Sequence, residues 1–225
     1  MSNELLFFVT AVVTFGLLIL VTKFFGKEGI YAWVGMAVVT ANIFVCKSVD
    51  LFGLSATLGN VLFGTVFLAT DILTELYDVK SARNAVWIGA SIEICALCLT
   101  QLSLQFIPNN LDTVQSGMQS IFGLFPRVTL ASLSMFLFSN QLDIYLFSKI
   151  KEKTGGKYLW LRNNVATNIS QCIENYLFYV IAFLGVYSMS DIFSMTITSC
   201  IIEIIVALLD TPFLYLAVHD KKRGD

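Results

Sequence analysis

Residues 5–25 read LLFFVTAVVTFGLLILVTKFF, twenty-one residues with a single charge, Lys23, near the end. At about 1.5 Å of rise per residue such a helix extends about 31 Å, enough for the roughly 30 Å of a bilayer's hydrocarbon. The run is too long for the apolar segment of a cleavable leader and has no basic residue before it, so it is expected to stay as the first span. Comparable runs follow at 30–46, 58–77, 84–104, 128–147, 164–187 and 192–218. Hydrophobic residues make up 56% of the 225 positions and charged residues 13%, against about 25% charged in an ordinary soluble domain. The predicted fold is all-α: a polytopic membrane protein of about seven transmembrane helices, a six-helix core plus one N-terminal helix, with residues 1–225 as a single domain. The function must then lie among the helices.

The basic residues give the spans a direction, because short cytoplasmic loops collect Lys and Arg. Seven spans put Lys23, Lys27, Lys80, Arg83, Lys149, Lys151, Lys153, Lys157, Arg162, Lys221, Lys222 and Arg223 on one side and only Lys47 and Arg127 on the other. Deleting any internal span breaks this alternation. The expected topology has the N-terminus outside and the C-terminus in the cytoplasm. The longest connection, 105–127, is then external, with an amphipathic stretch through Ile121, Phe122, Leu124 and Phe125 that suits either a surface loop or a cap on the outer mouth.

With a formal charge of -2 and basic residues confined to span ends, no surface could track a nucleic-acid backbone. Cys46, Cys95, Cys98, Cys172 and Cys200 all fall in apolar runs, and His219 is the only histidine. Cys95 and Cys98 read as small packing residues, and neither a metal nor a cofactor is expected. An enzyme is disfavoured too, for want of a Ser/His pair, metal-ligand spacing or a phosphate-cradling glycine loop.

An ionisable group in hydrocarbon costs at least about 2.5 kcal/mol at a helix centre and calls for a partner, a cavity or a task. Asp71 and Glu75 share a helical face with Asn60, Gly64 and Phe67. Counted from Lys80, Asp71 lies roughly 13 Å into the membrane and Glu75 roughly 7 Å; side by side their charges repel, and one of the two is expected to be protonated at neutral pH. In the sixth span Asn164, Thr167, Asn168, Gln171, Glu174, Asn175 and Phe178 fall within about 120° of arc, and Glu174 is close to mid-membrane. Glu93, Asp143 with Asn140, and Glu203 with Asp210 are further candidates, while lone amides are as readily interhelical glue. Asp210 precedes Thr211 and Pro212, where a proline can kink the helix.

The run from Phe67 through Asp71 and Glu75 to Tyr77, followed by Ala82-Arg83, resembles the signature of the queuosine precursor transporters, also called the vitamin uptake transporter family. Asn140 to Phe147 before a basic loop, Arg162 through Thr167, Ser170-Gln171 and Glu174 to Phe178, and Asp210-Thr211-Pro212 with Tyr215 resemble it in the same order. The resemblance spans about residues 41–215 and implies import of a 7-deazaguanine base (preQ0, preQ1 or queuine) across the cytoplasmic membrane of a prokaryote. It implies a small-molecule nucleobase and the lipid bilayer as partners, and leaves open a homo-oligomer. On it, Glu174 and Gln171 would read the base edge, and Asp71 would favour an aminomethyl cation. Phe67, Phe136, Tyr176 and Phe178 would stack on the ring. The chain departs from the family pattern at Asp78, usually glycine, at Glu174, usually aspartate, and at Glu203, often basic. The last change makes the pocket more acidic. A substrate-capture subunit of an energy-coupling vitamin transporter is the alternative, separated by whether the purified chain transports alone.

Overall fold

The computed structural model describes residues 2–123, 125–183 and 188–224. Leu124 in the outer loop and residues 184–187, where the sixth predicted span ends, lie outside them. The chain runs α1 (Asn3–Val45), β1 (Ser48–Leu51), β2 (Leu54–Thr57), α2 (Gly59–Leu76), α3 (Val79–Ser103), α4 (Gln115–Phe122), α5 (Phe125–Lys153), α6 (Leu159–Phe183) and α7 (Met189–Gly224).

Helix α1 carries the first two predicted spans. Drawn straight, its 43 residues would extend about 64 Å. Yet the Asn3 side chain donates to the Asp50 carbonyl at 3.1 Å, and the ring of Phe7 meets that of Phe52 edge-on at 6.4 Å. The chain must therefore double back, and it does so at Gly26, whose φ of 58° and ψ of -137° break the helix into two limbs. Without a Cβ, glycine enters this region at little steric cost. Thr10 and Thr40, Thr14 and Met36, and Leu17 and Trp33 then line one cleft from opposite limbs.

The helical expectation missed the β1–β2 hairpin. Its register pairs Leu51 with Leu54 across the two residues Phe52 and Gly53, both at positive φ, the geometry of a tight turn matched to strand twist. A pattern tuned to 3.6-residue periodicity passes over so short a pair. At the other end, Asp78 caps α3: its carboxylate accepts from the Ser81 amide at 2.7 Å and from the Ser81 hydroxyl at 2.8 Å. Those bonds hold the exposed Asp78 carboxyl below its usual range. The unusual Asp78 thus serves the turn between α2 and α3.

Helix α2 is buried on nearly every face, with Val66, Phe67, Leu68, Ala69, Ile72 and Leu73 inaccessible, and packs against α1, α3, α5, α6 and α7. It forms the axis of the bundle. Helices α1, α2, α3 and residues 192–219 of α7 are long and apolar enough to cross a membrane on those grounds alone. Helices α5 and α6, with 29 and 25 residues, have the length but carry polar residues inward. Counting both limbs of α1, seven helical limbs form a polytopic membrane bundle. Asn3 lies by the hairpin at one end, and the Trp160 amide in the first turn of α6 donates to the Tyr215 hydroxyl of α7 at the other. Pro212 sits inside α7 without ending it. Cys95 and Cys98 are exposed on α3 rather than packed, which corrects the sequence reading of that pair.

Candidate functional site

Polar side chains fill the interior in layers, because four helices each turn one polar face toward α2 or its neighbours. Deepest toward the Trp160 end, Arg162 is 1% exposed and donates to Glu75 at 2.6 Å and to the carbonyls of Gly156 and Lys157 at 3.0 and 3.1 Å. Gly155 and Gly156 adopt positive φ in the turn that presents these carbonyls. Lys151 adds a second cation 3.0 Å from Glu75, and the Arg162 guanidinium lies over the Phe147 ring at 5.3 Å. Glu75 is thus paired with two cations, where the sequence alone set it beside Asp71 as a carboxylate pair with one member protonated.

One turn above, Asp71 of α2 meets Asp143 of α5, with Asp210 of α7 nearby. Thr167 donates to Asp143 at 3.2 Å, and Asn163 donates to Asp210 at 2.8 Å and to the Thr211 hydroxyl at 3.2 Å. Asn164 also reaches Thr211, at 2.7 Å. Neither oxygen of the fully buried Asp71 meets a donor among the described residues.

About two turns further along α6 and α7, near the middle of both helices, lies a second acidic layer. Glu174 accepts a very short hydrogen bond from Ser139 of α5, and Glu203 accepts from Asn175 at 2.5 Å. The two glutamates are close enough for their charges to act on one another. Among the described residues neither has a Lys or Arg partner within ion-pair distance. Gln171, one turn below Glu174, is 2% exposed with its Oε1 unpartnered, and the buried Asn140 ties its Nδ2 to the Phe136 carbonyl at 3.0 Å, leaving Oδ1 free. The Asn168 Oδ1 also lacks a donor. Two glutamates, four amides and a serine within about two helical turns can accept several N–H groups from a planar ligand. They can also balance a cation.

The aromatic candidates divide. Phe67 is fully buried beside Phe63, which meets Phe136 edge-on at 5.8 Å. Phe178 packs edge-on against Tyr179 at 5.5 Å, and Tyr179 shares a 2.8 Å hydrogen bond with Ser199. Tyr176 is 45% exposed and faces away from the layer. Glu93 stands apart, held by Asn42 of α1 at 2.5 Å and Ser132 of α5 at 3.4 Å. An open cavity of about 450 Å³ lies elsewhere, between the limbs of α1, and its lining is mostly apolar. Sequence reasoning missed Ser139, Asn42 and Ser132. Ser139 stands one turn from Asp143 on the same helix, and that spacing is the signal that could have found it.

A helical bundle with its carboxylates and amides buried among its helices defines a multi-pass membrane protein with a polar interior site. Residues 57–217 match the family model described as "Putative vitamin uptake transporter". The chain is 41% identical over 218 residues to a "Probable queuosine precursor transporter" of Bacillus subtilis (strain 168), covering 96% of this chain and 95% of that one. It is 23% identical to the "Queuosine precursor transporter" of Escherichia coli (strain K12), covering 66% of this chain and 64% of the relative. No solved structure matches it. The chain belongs to the vitamin uptake transporter family, and it is a multi-pass protein of the cytoplasmic membrane.

Proposed function

We propose that this chain imports a queuosine precursor, a 7-deazaguanine base, and acts on it by carriage rather than by catalysis. The observation that carries the reading is the mid-helix layer of Glu174, Gln171, Asn175 and Glu203, four buried polar side chains on two adjacent helices with no cation of their own. A deazaguanine presents an amidine-like N–H edge and a carbonyl. The Glu174 carboxylate accepts from that edge, while the Gln171 amide faces the carbonyl or ring nitrogens. Asn168, Asn175 and Asn140 complete the polar rim, with Thr167 below, and Phe67 and Phe178 bound the ring.

Two glutamates without a counter-cation favour a base that brings positive charge. Among the precursors, aminomethyl-bearing preQ1 and the secondary amine queuine therefore rank above the nitrile preQ0. Asp71 and Asp143 lie below this layer and take a separate role. The basic residues assign the Trp160 end to the cytoplasm and the hairpin end to the outside.

The test is uptake of labelled preQ0, preQ1 and queuine into a cell unable to make these bases and expressing this chain. Import of at least one base that fails in the empty-vector cell is the expected result. No import of any of the three, with the chain present in the membrane, overturns the reading.

A further inference from the structure

Among the buried carboxyl groups of the described residues Asp71 has the fewest partners: neither oxygen meets a donor. It is fully buried, and another carboxyl group, that of Asp143, faces it within interaction range. Two carboxylates in apolar surroundings repel, and a buried charge persists only when paired and hydrogen-bonded. The groups facing Asp71 are Asp143 from α5, Asp210 from α7 and Arg162 from α6, with Glu75 on its own helix; α1 and α3 add no charged group among the described residues. Arg162 is already committed to Glu75 and to two carbonyls. Its Nε meets no acceptor, so among the described residues no cation hydrogen-bonds Asp71 or Asp143.

A second observation lies outside the carboxyl groups. Asn140, on the face of α5 that bears Asp143, has its nitrogen tied back to Phe136, so the end left to its buried surroundings is an acceptor without a proton. The buried oxygens of Asp71, Asn140 and Gln171 all accept, and none finds a donor. Among the described residues no group of acids and thiols is arranged to hold a metal ion. A proton shared between the two carboxyl groups gives each an oxygen partner and removes their repulsion.

We infer that Asp71 and Asp143 share one proton between α2 and α5, and that this proton is the ion coupled to transport, held below the substrate layer. The inference rests on the transport reading above. Per cycle, one O–H bond forms on the pair from a proton of one aqueous phase, and that O–H bond breaks to release the proton to the other; no electrons move. When the proton leaves, two anions face each other and α2 and α5 are driven apart, which ties proton release to a change in helix packing.

Two measurements on the purified full-length chain test it. Infrared difference spectra in H2O and D2O should show a protonated-carboxyl band that shifts on deuteration, is lost in Asp71→Asn and in Asp143→Asn, and is kept in Glu75→Gln. In proteoliposomes, accumulation of labelled preQ1 should rise with an inward proton gradient. Asp71→Asn should lose accumulation at least about tenfold while keeping preQ1 binding by thermal shift. A spectrum unchanged by both substitutions overturns the shared proton, and wild-type accumulation indifferent to the gradient overturns its coupling. If wild type moves no base at all, the transport reading and the coupling fall together, while the infrared spectra still decide the shared proton.

Discussion

Replacing Glu174 by Gln keeps the side chain's volume and its acceptor for Ser139, but removes the charge and turns one acceptor oxygen into an NH2 donor. In the structure Glu174 is 9% exposed, bonded to Ser139 and set beside Glu203, so the change falls on a desolvated group whose second oxygen is free for a ligand. If that oxygen accepts from the base edge, the variant loses a charge-assisted hydrogen bond and sets donor against donor. The cost is about 2 kcal/mol or more, and at 1.4 kcal/mol per tenfold change this is roughly a 30-fold loss of affinity. The protein itself should stay folded, since the Ser139 contact survives. The assay is ligand-dependent thermal shift of purified wild type and Glu174→Gln with preQ1, with guanine as the control. A preQ1 shift as large in the variant as in wild type would refute the assignment. So would a drop in the unliganded melting temperature with affinity unchanged, which would make Glu174 a strut to α5.

Three further outcomes are expected. Reporters fused after Asp225 and before Leu5 should be active only in their cytoplasmic and external forms respectively, and activity of both on one side would exclude an odd number of spans. Glu75→Gln should lower thermal stability by about 3 kcal/mol or more, because it leaves Arg162 buried against a neutral amide, whereas Asp71→Asn puts an amide N–H where the shared proton stood, keeps a donor toward Asp143 and should leave the melting temperature near that of wild type; the opposite order would show that the Glu75 cluster is not a structural clamp. Gly26→Ala should destabilise the chain by about 1–3 kcal/mol, the cost of forcing a side chain into that backbone region, as measured by thermal unfolding, and an unchanged midpoint would mean that the limbs do not turn there.

Glu75 shows how far a one-dimensional reading reaches. Its four-residue spacing from Asp71 places both on one face of α2, and that inference is sound for a helix. Yet a shared face does not fix shared neighbours. Across from Glu75 stand Lys151 and Arg162, more than 70 positions away in the chain, while across from Asp71 stands Asp143. Asn42 and Ser132 were invisible for the same reason. A single serine or amide in an apolar run carries no signal until its partner is known.

What the sequence by itself determined is what depends on a residue and its near neighbours. Runs of apolar residues set the all-helical membrane fold, and the polar stripe of α6 marked the face that turns inward, because hydrophobic transfer and helical periodicity are local. The family motifs were legible on the same ground. Only the tertiary structure decided that α1 doubles back at Gly26, that a short hairpin follows it, and that the carboxylates sort into an ion-paired layer, an aspartate layer and a glutamate layer. Each of these depends on which helix stands opposite, and electrostatics and hydrogen bonding act over a few ångströms of space regardless of distance along the chain.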